Sequence, residues 1–170
     1  MSLDNGELEN RIAKLVAHLN EADFEIYAFM NLAVHEVLEL TPATGVVVEL
    51  VEGDEMVYRA ATGVMEPYLG LRLPIKGSIS GLCVETREAL CSEDTEKDTR
   101  VNLPACQKIG ARSLVVAPLF HLRKAVGVLK IVSDKPDNFS PQDIEILKKV
   151  AACLGNALAA QIYQDIRKFI

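Results

Sequence analysis

The stretch that most limits how this chain can fold is residues 112–168, which read as a hairpin feeding one very long helix. Residues 112–120 and 125–132 are two apolar, largely β-branched runs joined by the polar turn His121-Leu122-Arg123-Lys124, the pattern of two antiparallel strands. Alternation places Gly127, Leu129 and Ile131 on one side of the second strand and Val126, Val128, Lys130 and Val132 on the other. After a linker at 134–139, Ser140-Pro141-Gln142-Asp143 supplies a cap hydroxyl, a proline for the first turn and an acid near the positive helix end. Apolar residues then step by threes and fours through Ile144, Leu147, Ala151, Leu154, Leu158, Ile162, Ile166 and Phe169. A helix of roughly 28 residues is about 42 Å long. A second row, Ile146, Val150, Cys153 and Ala157, runs beside the first. One row can pack on the sheet and the other needs another helix, and the end of the helix is expected to project beyond a small sheet.

Upstream, Leu8, Ile12, Leu15 and Leu19 predict a helix over residues 7–19, and a broader apolar set from Phe24 to Leu38 predicts a second over 23–40, capped by Asn20 or Asp23 and stopped by Pro42. The period then changes to two. Residues 46–51 and 56–61 predict a hairpin about Gly53-Asp54, and 71–75 a short edge strand because of Pro74. Residues 76–110 are irregular: a short helix over 81–86, a brief strand at 89–92, a charged loop at 93–100, and a helix over 104–109 ended by Gly110. A long irregular stretch between firm elements is where a domain commonly holds a ligand.

Hydrophobic residues make up 49% of the 170 residues, enough for a packed core in one domain. The net charge of −6 with no basic stripe argues against nucleic acid or an anionic membrane as partner. No apolar run reaches the roughly 20 residues that span a bilayer. Met1-Ser2-Leu3-Asp4 does not read as a secretory leader, so a cytoplasmic location and reduced Cys83, Cys91, Cys106 and Cys153 are expected. Without a Cys-x-x-Cys pair, and with His18, His35 and His121 far apart, no metal site is expected.

Three segments taken in order carry a resemblance: Leu73-Pro74-Ile75-Lys76-Gly77-Ser78-Ile79-Ser80-Gly81-Leu82-Cys83-Val84; Gly110-Ala111-Arg112-Ser113-Leu114-Val115-Val116-Ala117-Pro118-Leu119; and Ala125-Val126-Gly127-Val128-Leu129-Lys130-Ile131 followed by Phe139-Ser140-Pro141-Gln142-Asp143. This set resembles a GAF domain, most strongly over 71–160 and more weakly back to about residue 23. The resemblance implies an α+β, profilin-like fold with a central antiparallel sheet of about six strands. It implies terminal helices on one face, and short helices and loops forming a pocket on the other. The expected organisation is an N-terminal helix or linker at 1–22 and the domain with its extended final helix at 23–170. The implied function is a non-enzymatic sensor module of a signalling protein, next to an output domain in a parent chain. It would bind an unidentified small molecule and form a homodimer through the terminal helices; the alternative is a ligand-free structural dimerisation module with an empty or collapsed pocket.

The site candidates are Ser78, Ile79, Ser80, Gly81, Asp94, Arg100, Cys106, Leu114, Val116 and Lys130. Ser78 to Gly81 either present backbone amides to an oxygen of a ligand or make a tight turn. Leu114, Val116, Val128, Lys130 and Val132 share one sheet face by alternation, the face that the resemblance turns toward the pocket. Lys130 either meets a phosphate or carboxylate or snorkels out. Asp94, Asp98, Arg100 and Asn102 either close over a ligand or are solvated charges.

The resemblance also offers an enzymatic branch, the free methionine-(R)-sulfoxide reductases, because Cys106 falls near that branch's catalytic thiol. Its Gly-Val-Cys-Gly turn, however, corresponds to Ser78-Ile79-Ser80-Gly81. The carboxylates that hold the substrate's ammonium group correspond to Leu114, Lys130 and Val132. No Cys-His pair suited to a bilin is present, and the Asn-Lys-Phe-Asp-Glu set of cyclic-nucleotide binders is not traceable.

Overall fold

The computed structural model describes residues 4–19 and 25–167. The elements run α1 (Asn5–Leu19), α2 (Ile26–Leu40), β1 (Gly45–Glu52), β2 (Glu55–Gly63), a 3₁₀ turn at Glu66–Tyr68, β3 (Arg72–Pro74), α3 (Ile79–Thr86), β4 (Leu90–Ser92), α4 (Leu103–Ile109), β5 (Ser113–His121), β6 (Lys124–Ser133) and α5 (Pro141–Arg167). The expected caps Asn20 and Asp23, with Phe24 and Phe169, lie outside the described residues, as do the side chains of Leu15, Leu19, Ile162 and Ile166. The 3₁₀ turn has no counterpart in the expectations.

The six strands form one antiparallel sheet in the order β3-β2-β1-β6-β5-β4. The inner strands are therefore β1 and β6, from opposite ends of the sequence, and the short strands β3 and β4 close the edges. Alternation sorts their side chains onto two faces. Val46, Val48, Val115, Ala117, Leu119, Leu129 and Ile131 pack with Met30, Val34 and Val37 of α2 and with Leu147, Val150 and Leu154 of α5. Val47, Leu114, Val116, Val128 and Val132 face the other way, toward Ile79 and Cys83 of α3 and Cys106 of α4.

The final helix begins as its sequence predicts. Asp143 N–H donates to Ser140 Oγ at 3.2 Å, and Ser140 N–H donates to Asp143 Oδ2 at 2.8 Å, a reciprocal cap. Over residues 144–158 both apolar rows of α5 are covered. Val150, Cys153 and Ala157 belong to the same core as Leu147 and Leu154, and Ile146 packs with Leu8 of α1 and Leu40 of α2. Over residues 146–157 the second row thus finds its helices within the same chain and does not require a second copy. The pattern shows that a row needs cover but not whose helix supplies it.

One β-bulge decides which side chains meet. Val48 pairs with Ala60 but Glu49 pairs with Tyr58, which leaves Arg59 as the extra residue of β2. Ala60 therefore joins the helix-covered core, whereas Met56 and Tyr58 join the opposite one. Unbulged pairing would set Arg59 opposite Glu49; instead Arg59 pairs with Glu52 near the hairpin end.

Candidate functional site

Two short helices roof the sheet face away from α2 and α5. Ser78 caps α3, its Oγ accepting from the Gly81 N–H at 3.0 Å. Asn102 caps α4, accepting from Ala105 N–H at 3.2 Å, and Gly110 ends it in the left-handed conformation at φ 69°. The Gly81 amide is therefore taken by a side chain of the same turn. Gly81 is glycine because the helix starts against the incoming chain: a Cβ there would stand 1.7 Å from the Ile75 carbonyl oxygen.

Between roof and sheet lies a cavity of about 30 Å³, room for only a water or two. Ser78, Ile79, Ser80, Cys106, Leu114 and Lys130 of the expected set line it. Val116 is buried on the same face, and Gly81 is buried at the start of α3. Asp94 and Arg100 are elsewhere. They line a separate, open depression with Cys91 and Asp137, where Arg100 Nη2 donates to Asp98 Oδ2 at 2.7 Å and to the Cys91 carbonyl at 2.8 Å, and Arg112 pairs with Asp94 at 3.3 Å. Asp94, Asp98 and Arg100 are thus paired within the protein, and the hydrogen bond from Arg100 holds the Asp98 carboxyl well below the usual carboxylate range. The structure thus divides the candidates between two places.

The cavity floor is polar. Lys130 is 6% exposed, so it does not snorkel; β6 is an inner strand covered by α3. It meets a carboxylate of its own chain. Its Nζ lies 3.2 Å from Glu49 Oε2 and donates to the Tyr58 hydroxyl at 3.0 Å. Ser80 Oγ donates to the same Glu49 oxygen at 2.7 Å. Val47 is the direct neighbour of Lys130, which makes Glu49 its diagonal neighbour, and Tyr58 stands directly opposite Glu49. Three adjacent strands and α3 thus contribute one side chain each. Burial alone would lower the Lys130 ammonium, but the Glu49 carboxylate and the Tyr58 hydroxyl hold it above the ordinary lysine value. Burial pushes the Tyr58 phenol up, against the lowering effect of the Lys130 charge.

Glu49 and Tyr58 were not among the expected site residues. The available signal was a lone glutamate in Val46-Val47-Val48-Glu49-Leu50-Val51, matching the lone lysine in the apolar run of β6. Only the adjacency of β1 and β6 turns two isolated charges into a pair.

The thiols are unsuited to ready attack. Cys83, buried, is pushed up to about 12 by burial and by Glu49, and burial raises Cys106, Cys91 and Cys153. Among the described residues no group of three His, Cys, Asp or Glu side chains is placed to hold a metal ion, and no helix is long and apolar enough to cross a membrane.

A GAF domain family model matches residues 25–159. The chain belongs to the GAF domain family. The fold agrees: the GAF domain of an Acinetobacter phosphoenolpyruvate-protein phosphotransferase superposes with a TM-score of 0.79 at 18% identity, covering 96% of this chain and 99% of that one. The corresponding Coxiella burnetii GAF domain gives 0.82 at 18% identity, with 96% and 99% covered. The free methionine-R-sulfoxide reductase of Neisseria meningitidis gives 0.78 at 21% identity, with 95% and 96% covered. These likenesses establish the GAF architecture, which is found both in domains of phosphotransferases and in a reductase. A comparison with curated proteins found no match.

Proposed function

We propose that this GAF domain is a sensor module of a cytoplasmic signalling protein. It takes a small molecule between the sheet and the α3–α4 roof and acts on an output domain in a longer chain through paired terminal helices. The observation that carries this reading is the buried cluster of Lys130, Glu49, Tyr58 and Ser80 at the cavity floor. Burying an ion pair costs more than filling the same space with apolar side chains, so a core built only for stability would not favour one here. Convergent polar groups on an otherwise apolar wall are the usual form of a ligand site.

Transmission has a short route. Glu49 and Lys130 alternate along β1 and β6 with Val48, Leu129 and Ile131, which pack on the α2 and α5 side. A ligand signals only by favouring one arrangement of those helices over another. Pairing with a second copy is supported by the resemblance and by the exposed Tyr27 and Leu32 on α2. A thermal-shift screen over nucleotides, amino acids, haem and small anions tests the ligand half, and a flat response rejects it. Light scattering tests pairing, which a strict monomer at high concentration rejects.

One observation favours a second reading as a thiol-dependent reductase of free methionine-(R)-sulfoxide: Cys106 lines the same cavity as Ser80 and Lys130. The raised thiols and the serine at position 80 favour the non-enzymatic reading. Reductase activity in the wild type that disappears in Cys106→Ala would reverse that preference.

A further inference from the structure

The cavity's own ion pair limits the charge of anything that can enter, an inference that rests on reading the cavity as a ligand site. Lys130 and Glu49 are 6% and 1% exposed and 3.2 Å apart, so each neutralises the other out of reach of water. An anion taking Lys130 alone would strand a buried carboxylate on Glu49, and a cation taking Glu49 alone would strand the ammonium. Leaving one partner of a buried pair uncompensated is strongly unfavourable. A molecule that engages neither leaves the pair closed and finds only about 30 Å³, a water or two. A molecule with both charges opposes each: its anionic group faces Lys130 and its ammonium faces Glu49.

The remaining contacts suit the exchange. Lys130 and Ser80 converge on one oxygen of Glu49, so an incoming ammonium can take the place of the Ser80 hydroxyl as donor. The Tyr58 hydroxyl accepts from Lys130, which leaves its proton to donate to a ligand oxygen. Ser80 lies in the first turn of α3, so replacing its bond also releases the roof over the enlarging cavity. We infer that the pocket selects a small zwitterion, which enters by separating Lys130 from Glu49 and unfastening Ser80. The ammonium partner is Glu49 on β1, not a carboxylate on the β5–β6 hairpin.

The test is the melting temperature of the full chain with three kinds of probe: zwitterions (glycine, γ-aminobutyrate, taurine and the common free α-amino acids), acetate, and methylammonium. At least one zwitterion should raise it by roughly 3 °C or more at saturation, while acetate and methylammonium leave it unchanged. The zwitterion response should be the same at about pH 6 and about pH 8, because no net proton is taken up. Stabilisation by acetate alone would overturn the inference in favour of a simple anion.

Two variants separate failure of this inference from failure of the ligand reading. Glu49→Gln should lose the zwitterion response and gain one to acetate, and Lys130→Gln should gain one to methylammonium. Such gains without any wild-type response to a zwitterion would remove the zwitterion and keep the cavity as a ligand site. No response in wild type or variants removes both. The wild-type comparison decides the zwitterion question even where a single variant fails to fold.

Discussion

The two faces of the sheet are built from the same strands by opposite rules. Among the described residues, the face under α2 and α5 holds no buried charged side chain: Val46, Val48, Leu129 and Ile131 meet Val34, Val37, Leu147 and Leu154. The face under α3 and α4 starts from the same alternation but breaks it at Glu49, Tyr58 and Lys130, next to Ser80. On the first face, stability follows the apolar volume buried, and any side chain of similar size serves. On the second, it depends on charges that matter only as a pair.

The largest effect expected is on the charged face. Lys130→Met or Glu49→Leu alone should lose roughly 3–5 kcal/mol in denaturant unfolding, because each leaves an uncompensated buried charge. The joint replacement should lie within about 1 kcal/mol of wild type or above it. Additive losses would show that the two groups do not act as a pair and would dissolve the contrast between the faces.

The helix-covered face should answer through volume. Leu154→Ala, on a fully buried side chain of α5, should cost about 2–5 kcal/mol. A second cavity mutation on that face, away from its neighbours, should add to the first. Gly81→Ala should cost about 1–3 kcal/mol, since the Ile75 carbonyl occupies the place of the new methyl group and backbone must move. The same unfolding experiment reads it, and a neutral result would mean that α3 sits loosely on its approach chain. Ser78→Ala should cost about 1 kcal/mol through the lost cap to Gly81.

The smallest expected effect is the thiol response, which changes no contact. Thiol labelling of the native protein should reach the half-exposed Cys91 first and leave Cys83 for unfolding. With its value pushed up to about 12, Cys83 is a thiolate in only about one molecule in 10⁴ at a pH of about 8. Rapid native labelling of Cys83 would show that the roof opens readily.

How much of this was legible follows from the range of each signal. Alternation along β5 and β6 placed Leu129 and Ile131 on one face and Val128, Lys130 and Val132 on the other, because side-chain direction in a strand is a local property. It misplaced Val126, which packs on the helix-covered face because a bulge leaves it as the extra residue between the pairs Leu119–Gly127 and Phe120–Ala125. The cap at Ser140 is equally local, a bond to a backbone amide three residues on. Asn102, expected either to close over a ligand or to be solvated, caps α4 in the same local way. The expectation for Lys130 stayed divided between ligand and solvent because its partner is 81 residues earlier in the chain, on a strand whose adjacency no short-range pattern encodes. The charged loop was divided for another reason. Asp94 and Arg100 have the residue types of a ligand clamp, yet local ion pairs with Arg112 and Asp98 use them up.

The long final helix shows the same division. The sequence by itself determined that α5 exists, where it starts, and that it carries two apolar rows, since propensity, capping and period are written residue by residue. It also determined the GAF framework, through the order of its three segments. Only the tertiary structure decided that α1 and α2 cover the second row of α5, that the extra residue at Arg59 turns Tyr58 toward Glu49, and that Glu49 and Lys130 form one buried pair. The physical reason is the same in each case. These outcomes depend on which distant surfaces come together, and the free energy of a buried row or a buried charge is set by the neighbour it meets.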